Sequence, residues 1–209
     1  MSEWVRNSLL GLEDLSELEI MKIIETAESF ALQEPKHSSE KGLLGGYRII
    51  NLFMEPSTRT RVAFEIAAKS LGADVISISG EASSLTKGES LKDTALNVKA
   101  LGADAIVIRH SSPGSPLLLS SIVDLPIINA GDGAHEHPSQ GLLDIFTLRQ
   151  NLGDIKGKKI TILGDILFSR VARSNLFGLT TLGAKVTLAG PSTLVPKEFS
   201  QMGAYVTHN

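Results

Sequence analysis

Three times along this chain a helix-like stretch runs into a Leu-Gly-Ala step and then a short apolar run: SLGAD at 70–74, ALGAD at 100–104 and TLGAK at 181–185. A glycine just past a helix takes the left-handed conformation that closes the last turn without a Cβ clash. The apolar runs that follow are short enough for strands and too short for helices. This is αβ-loop chemistry used repeatedly, and we do not read it as a sequence repeat. It restricts the chain to strands alternating with helices.

The remaining pattern agrees. Leu15, Leu18, Met21, Ile24 and Ala27 have helical spacing, predicting a helix over 15–32 with Asp14 or Ser16 as its cap. After a polar, Gly-rich connection at 33–46, strands are expected at 47–54, 74–79, 104–109 and 126–129. Helices are expected at 60–71, about 89–101, 115–122 and 138–151. The cycle restarts with a strand at 158–163, a helix at about 169–182 and a strand at 184–189. Short apolar strands separated by helices imply parallel pairing with right-handed crossovers. The fold class is therefore α/β: a parallel-sheet domain within residues 1–150, its last helix acting as the link, followed by a second α/β domain over 151–209. The final MGAYVTHN reads as a further αβ loop and strand. A strand ending an unfinished layer is an exposed edge, so the second domain is expected to be incomplete and the chain a fragment. The alternative is a small complete subdomain that docks on a partner.

Composition narrows the function classes. The chain has 209 residues, 20 basic and 23 acidic, for a net charge of −3, which argues against a nucleic-acid coat. It has no cysteine, so disulfides, zinc-thiolate sites and thiol nucleophiles are excluded. No apolar run reaches ~18 residues, and the N-terminus lacks a basic signal-peptide head. The expectation is a cytoplasmic protein without membrane or nucleic-acid partners.

Five polar clusters stand next to expected helix starts or strand ends. In the first, Ser57, Thr58, Arg59, Thr60 and Arg61 lie between a strand and a helix. A helix N-terminus with added hydroxyls and a guanidinium is a phosphate cradle without a Gly-rich loop; plain capping with solvated arginines is the alternative. In the second, Ser83, Ser84, Thr86, Lys87 and Glu89 occupy a loop before a helix. Thr86 and Glu89 have capping-box spacing, while Ser and Lys on such a loop can also close over an anion. The third is Arg109-His110 at a strand end, where an arginine reaches the ligand crevice of an α/β sheet or forms a structural ion pair. The fourth, His135-Glu136-His137-Pro138-Ser139-Gln140, lacks the i, i+4 histidines of a metalloprotease helix, and no metal is expected. His137 and Gln140, three apart around a first turn, suit one small polar ligand. The fifth is Gly164 to Arg170, where Arg170 either binds a carboxylate or lies on the helix surface.

Together these clusters resemble the aspartate/ornithine carbamoyltransferase family. FMEPSTRTRVAFE at 53–65, SSLTKGESLKDT at 83–94, VIRH at 107–110, NAGDGAHEHPSQGLLDIFTL at 129–148 and LGDILFSRVARS at 163–174 match its motifs in order. Lys87, the Asn-Ala-Gly-Asp-Gly run and Arg170 lean towards the members that act on aspartate. The resemblance implies transfer of the carbamoyl group of carbamoyl phosphate to the amino group of L-aspartate, a step of pyrimidine biosynthesis, with no cofactor. Ornithine or another amine as acceptor, and a non-catalytic structural subunit, are the alternatives.

By that resemblance Ser57, Thr58, Arg59 and Thr60 hold the phosphate, joined by Ser84. Arg109 touches phosphate and carbonyl oxygens, Thr60 and His137 polarise the carbonyl, and Gln140 binds the carbamoyl amino group. Arg170 and Lys87 serve aspartate. The catalytic set is Arg59, Thr60, Lys87, Arg109 and His137. Ser84 and Lys87 are implied to act in a neighbouring subunit of a homotrimer, with possible higher assembly with regulatory or pathway partners. The later amine-site residues are implied to lie beyond Asn209, leaving the fragment weakly active or inactive. Phe168 and Ser111 depart from the family pattern.

Overall fold

The computed structural model describes residues 6–32, 42–80 and 89–209. In chain order the elements are α1 (Glu17–Ala31), β1 (Arg48–Phe53), α2 (Thr58–Ser70), β2 (Asp74–Ser79), α3 (Leu91–Ala100), β3 (Ala105–His110), α4 (Ser115–Ile122), β4 (Ile127–Asp132), α5 (Pro138–Leu152), β5 (Lys159–Leu163), α6 (Arg170–Thr181), β6 (Lys185–Ala189) and β7 (Tyr205–Thr207). They form two compact units that are discontinuous in the chain. One takes the described residues of 5–10 and 33–132, the other those of 11–32 and 133–209. Among the described residues no helix is long and apolar enough to cross a membrane.

The first unit is a four-stranded, all-parallel sheet in the order β2-β1-β3-β4. Parallel sheets need cover on both faces, and alternate residues of β1 serve opposite sides. Ile50 and Leu52 pack with Ala95, Val98 and Leu119, from α3 and α4. Ile49 and Phe53 pack with Phe64 and Ala68 of α2. The chain moves from β1 to β2 on one side and returns to β3 on the other. The order therefore reverses between β1 and β3, and a crevice opens beyond their C-terminal ends. Gly72 (φ +92°) and Gly102 (φ +87°) carry the left-handed turns expected of the Leu-Gly-Ala steps. Behind Gly102 the Ala103 N–H reaches back to the Val98 carbonyl at 3.1 Å.

Element ends differ from expectation, most of them by one or two residues. β4 continues to Asp132, because Asn129 to Asp132 are held by hydrogen bonds that no apolar pattern announces. The N-terminal residues also add a parallel bridge, Leu9 to Ile128: Leu9 donates to the Ile127 carbonyl and accepts from Asn129 N–H, both at 2.9 Å. The cap of α3 is Ser90, whose Oγ accepts from Asp93 N–H at 3.1 Å, in place of the expected Thr86–Glu89 pair. Thr86 itself lies outside the described residues.

The second unit has a three-stranded parallel sheet, β5-β6-β7, with α1, α5 and α6. Its core includes Leu12, Ile24, Ile145, Leu176, Leu179 and Leu188, all at most 1% exposed. Ser16 proves to be the cap of α1, forming a reciprocal capping box with Glu19. α5 and α6 approach closely through glycines. A Cβ at Gly141 would stand 2.9 Å from Leu12 Cδ1 and 3.0 Å from Ser174 Cβ, and one at Gly178 would stand 2.6 Å from Ile145 Cδ1.

Candidate active site

In the four-stranded unit, β1 ends at Phe53 and α2 begins at Thr58, so residues 54–57 form the rim of the crevice. Ser57 caps α2, its Oγ accepting from Thr60 N–H at 3.4 Å. The N–H groups of the first turn and the positive end of the helix dipole face the same rim. Thr58 and Arg59 are exposed and Thr60 is half-buried. The Arg59 side chain has no hydrogen-bond or ion-pair partner among the described residues. A cleft of about 500 Å³ is lined by Phe53, Met54, Pro56, Ser57, Thr58, Arg61, Ser79 and Gly80. Ser57 and Thr58 of the expected cradle line it directly; Arg59 and Thr60 do not.

Arg109 lies at the end of β3, beside β1. Its Nη2 donates to Glu55 Oε1 at 2.5 Å and its Nη1 to the Ala130 carbonyl at 3.3 Å. The backbone fixes this neighbourhood as well, since the Arg109 carbonyl accepts from Met54 N–H at 2.8 Å. Arg109 is thus ion-paired at the strand end, and it does not line the cleft beside Ser57. Next to it, the His110 Nδ1 accepts from Ser112 N–H at 2.9 Å. Burial holds this imidazole below its ordinary pKa, with the field of Asp132 opposing. His110 therefore favours the neutral ring with its proton on Nε2. The Asn-Ala-Gly-Asp run is structural: Asn129 Nδ2 donates to Asp132 Oδ1 at 2.9 Å, and Asp132 Oδ2 accepts from Gly114 N–H at 2.7 Å.

In the three-stranded unit, Pro138 opens α5 and His137 precedes it as the N-cap residue, 8% exposed. The His137 N–H donates to Ser174 Oγ at 2.9 Å, and Ser174 Oγ donates to Glu136 Oε2 at 2.8 Å. Glu136 is fully buried, and its carboxylate also accepts from Leu12 N–H (2.8 Å) and Glu13 N–H (3.2 Å). Burial pushes its pKa up against the pull of these donors. One carboxylate thereby ties the segment before α1 to α6 and, through Ser174, fixes the backbone of His137. Gly11 is required beside it, because a Cβ there would stand 2.2 Å from Glu136 Oε1. Glu13, His135 and Glu136 present ligand-type atoms within 4.8 Å of one another. Three hydrogen bonds to the Glu136 oxygens make this an anchor rather than an open metal site.

Ser139 Oγ lies 3.3 Å from His137 Nδ1. Gln140 Nε2 donates to Asp144 Oδ1 at 3.0 Å, and Asn175 Nδ2 donates to Asp144 Oδ2 at 2.6 Å. Arg170 is the first residue of α6, half-buried, behind the Ser169 cap, and Phe168 before it is 64% exposed. Ser84 and Lys87 lie outside the described residues. Each unit thus gathers its own part of the expected set: Ser57 to Thr60 with Arg109 in one, His137, Gln140 and Arg170 in the other. Glu55, Glu136 and Asp144 were missed as partners of these residues. Only Asp144 had a local signal, its i, i+4 spacing from Gln140.

Residues 7–150 match the family described as aspartate/ornithine carbamoyltransferase, carbamoyl-P binding domain. The chain is 60% identical over 206 residues to an aspartate carbamoyltransferase catalytic subunit of Opitutus terrae, covering 99% of this chain and 66% of that protein. It therefore spans just under two thirds of the length of this curated relative. A crystal structure of a putative aspartate carbamoyltransferase from Trypanosoma cruzi superposes with a TM-score of 0.87 at 32% identity, covering 97% of this chain and 70% of the other. Aspartate transcarbamoylase from the same organism, in complex with carbamoyl phosphate and aspartate, gives a TM-score of 0.85 at 31% identity, with 97% and 67% covered.

Proposed function

Because this chain belongs to the aspartate/ornithine carbamoyltransferase family, we propose that it carries the carbamoyl phosphate site of an enzyme that carbamoylates L-aspartate. The supporting observation is the pairing of a capped helix N-terminus, Ser57 to Thr60, with Arg109 at the end of the strand beside it. A phosphate dianion is matched there by backbone N–H groups, hydroxyls and two guanidinium groups.

The chemistry follows from the charges. The neutral amine of aspartate attacks the carbamoyl carbon, and negative charge builds on the carbonyl oxygen. Thr60, Arg109 and His137 are the donors for that oxygen, and donors placed for developing charge lower the barrier more than they tighten binding. The C–O bond to phosphate then breaks, and the departing phosphate takes the amine proton. No protein nucleophile and no cofactor enters this sequence. Arg170, with Lys87, serves the carboxylates of aspartate.

The division of labour runs at residue 150, with carbamoyl phosphate contacts before it and, apart from Lys87 on its loop, aspartate contacts after it. A homotrimer in which Ser84 and Lys87 complete a neighbour's site is part of this reading. It is supported by apolar residues left exposed on α2 and β2: Val62 (39%), Ile66 (60%) and Ile76 (48%). We place the protein in the cytoplasm.

Titration calorimetry with carbamoyl phosphate tests the site, and labelled carbamoyl transfer to aspartate against ornithine tests the acceptor. Absence of carbamoyl phosphate binding overturns the reading; transfer to ornithine alone changes the substrate.

A further inference from the structure

Asp144 sits one helical turn after Gln140 on α5, and both of its oxygens are engaged, by Gln140 Nε2 at 3.0 Å and by Asn175 Nδ2 of α6 at 2.6 Å. A carboxylate only accepts hydrogen bonds, so it dictates which end of each amide turns towards it. For Asn175 the imposition is visible in what it leaves behind: its Oδ1 is buried without a partner. An amide free to choose would not orphan a buried oxygen, which costs more than a hydrogen bond returns. The clamp therefore dominates the local arrangement. For Gln140 the consequence is chemical. With Nε2 committed to Asp144, the group left to meet a ligand is the carbonyl Oε1, which can only accept.

We infer that Asp144, itself held by Asn175, is a positioning residue that locks the Gln140 amide with its oxygen presented, so that Gln140 selects a ligand bearing N–H donors over an isostere without them. This rests on the proposed function, in which the ligand group at Gln140 is the carbamoyl NH₂. A site built around a polar contact rejects the analogue lacking it, because the buried partner is then left unpaired. Released from Asp144, the amide can turn either end to the ligand, and the selection fades.

The test compares carbamoyl phosphate with acetyl phosphate, which replaces the NH₂ by a methyl group, and with inorganic phosphate. Each is titrated calorimetrically into the wild type, Asp144→Asn and Asn175→Ala. The wild type is expected to prefer carbamoyl over acetyl phosphate. Asp144→Asn is expected to shrink that preference about fivefold to tenfold, the loss of one hydrogen bond. Acetyl phosphate and phosphate affinities are expected to stay within about twofold of wild type in the same variant. Asn175→Ala leaves Asp144 charged but held on one side only, and is expected to shrink the preference less; it carries the test if Asp144→Asn does not fold. An unchanged carbamoyl-to-acetyl ratio in the folded variants, or equal weakening towards all three ligands, overturns the positioning role. A wild type that binds no carbamoyl phosphate overturns the functional reading beneath it, which is a separate and distinguishable result.

Discussion

Arg109 and Glu55 form a tight ion pair, 2.5 Å from Nη2 to Oε1, with their side chains only 13% and 23% exposed. The guanidinium expected to meet a phosphate is thus already neutralised by a carboxylate from the adjacent strand's end. An incoming dianion must share or displace that carboxylate. Glu55→Gln keeps the size of the side chain and removes the competing charge. Arg109 stays oriented by the Ala130 carbonyl. Inorganic phosphate and carbamoyl phosphate are expected to bind a few-fold more tightly, and the melting temperature to fall. Calorimetry that shows weaker binding would instead make Glu55 the group that aims Arg109.

Arg59→Ala removes a charge-assisted donor from the α2 rim. Such a bond is worth about 1.5–3 kcal/mol, or roughly 10- to 150-fold in carbamoyl phosphate affinity. Near-native binding by titration calorimetry would remove Arg59 from the cradle.

On the proposed function, His137→Ala should differ in kind, costing turnover more than carbamoyl phosphate binding, since the carbonyl oxygen proposed for it gains charge only during attack. The measurement is kcat in the assembled enzyme beside the dissociation constant. Equal losses in the two would reduce His137 to a ground-state contact.

Much of the scaffold is readable from residue pattern alone, because strand-length apolar runs and helix-length stretches bounded by turn residues leave local marks. β2 and α4 fall at their expected residues, 74–79 and 115–122. The helix start at Ser57 to Thr60 is legible for the same reason: these residues are consecutive, and a strand-to-helix junction tells where they sit, although Arg59 and Thr60 do not line the cleft. What stays hidden is long-range. Glu55 and Arg109 are 54 positions apart, and Leu12 and Glu136 are 124 apart, so no periodicity relates either pair. Glu136 was also masked by its neighbours, since a carboxylate between two histidines suggests a metal, whereas burial turned it into an acceptor for backbone N–H groups.

Glu136 also sets a pH dependence. Burial holds its pKa above the ordinary carboxylate value of 4.5, so the folded protein binds this proton more tightly than the unfolded chain does. Its contribution to stability is therefore largest below that ordinary value and falls as pH rises through the window up to the raised one. Glu136→Gln has no such dependence. The difference in melting temperature, wild type minus variant, is expected to shrink as pH rises above 4.5. A difference that is flat, or that grows, would show the carboxylate to be as well solvated by its donors as by water.

Gly141→Ala would drive a methyl group against Leu12 and Ser174 where α5 meets α6. Overpacking of this kind costs about 1–3 kcal/mol. Because Ser174 also holds the backbone of His137, the variant is expected to lose turnover beyond what its melting temperature predicts. Thermal unfolding and kcat measured together check both parts. A variant as stable and as active as wild type would mean that α6 can shift freely.

A helix made early is completed late. α1 packs with α5, in the unit that holds residues 11–32 and 133–209, yet residues 33–132 are synthesised between them. A 15-residue helix with nothing to cover its apolar side is marginal in water. The four-stranded unit, by contrast, has all its strands once β4 has emerged, and units of this kind fold as their chain is delivered. A nascent chain paused after Asp132 thus carries one finished sheet and one waiting helix. The anchor that recruits the segment before that helix, Glu136, is delivered four residues later. Chain order turns the buried carboxylate into a checkpoint in time, where the two ends of a discontinuous unit first meet.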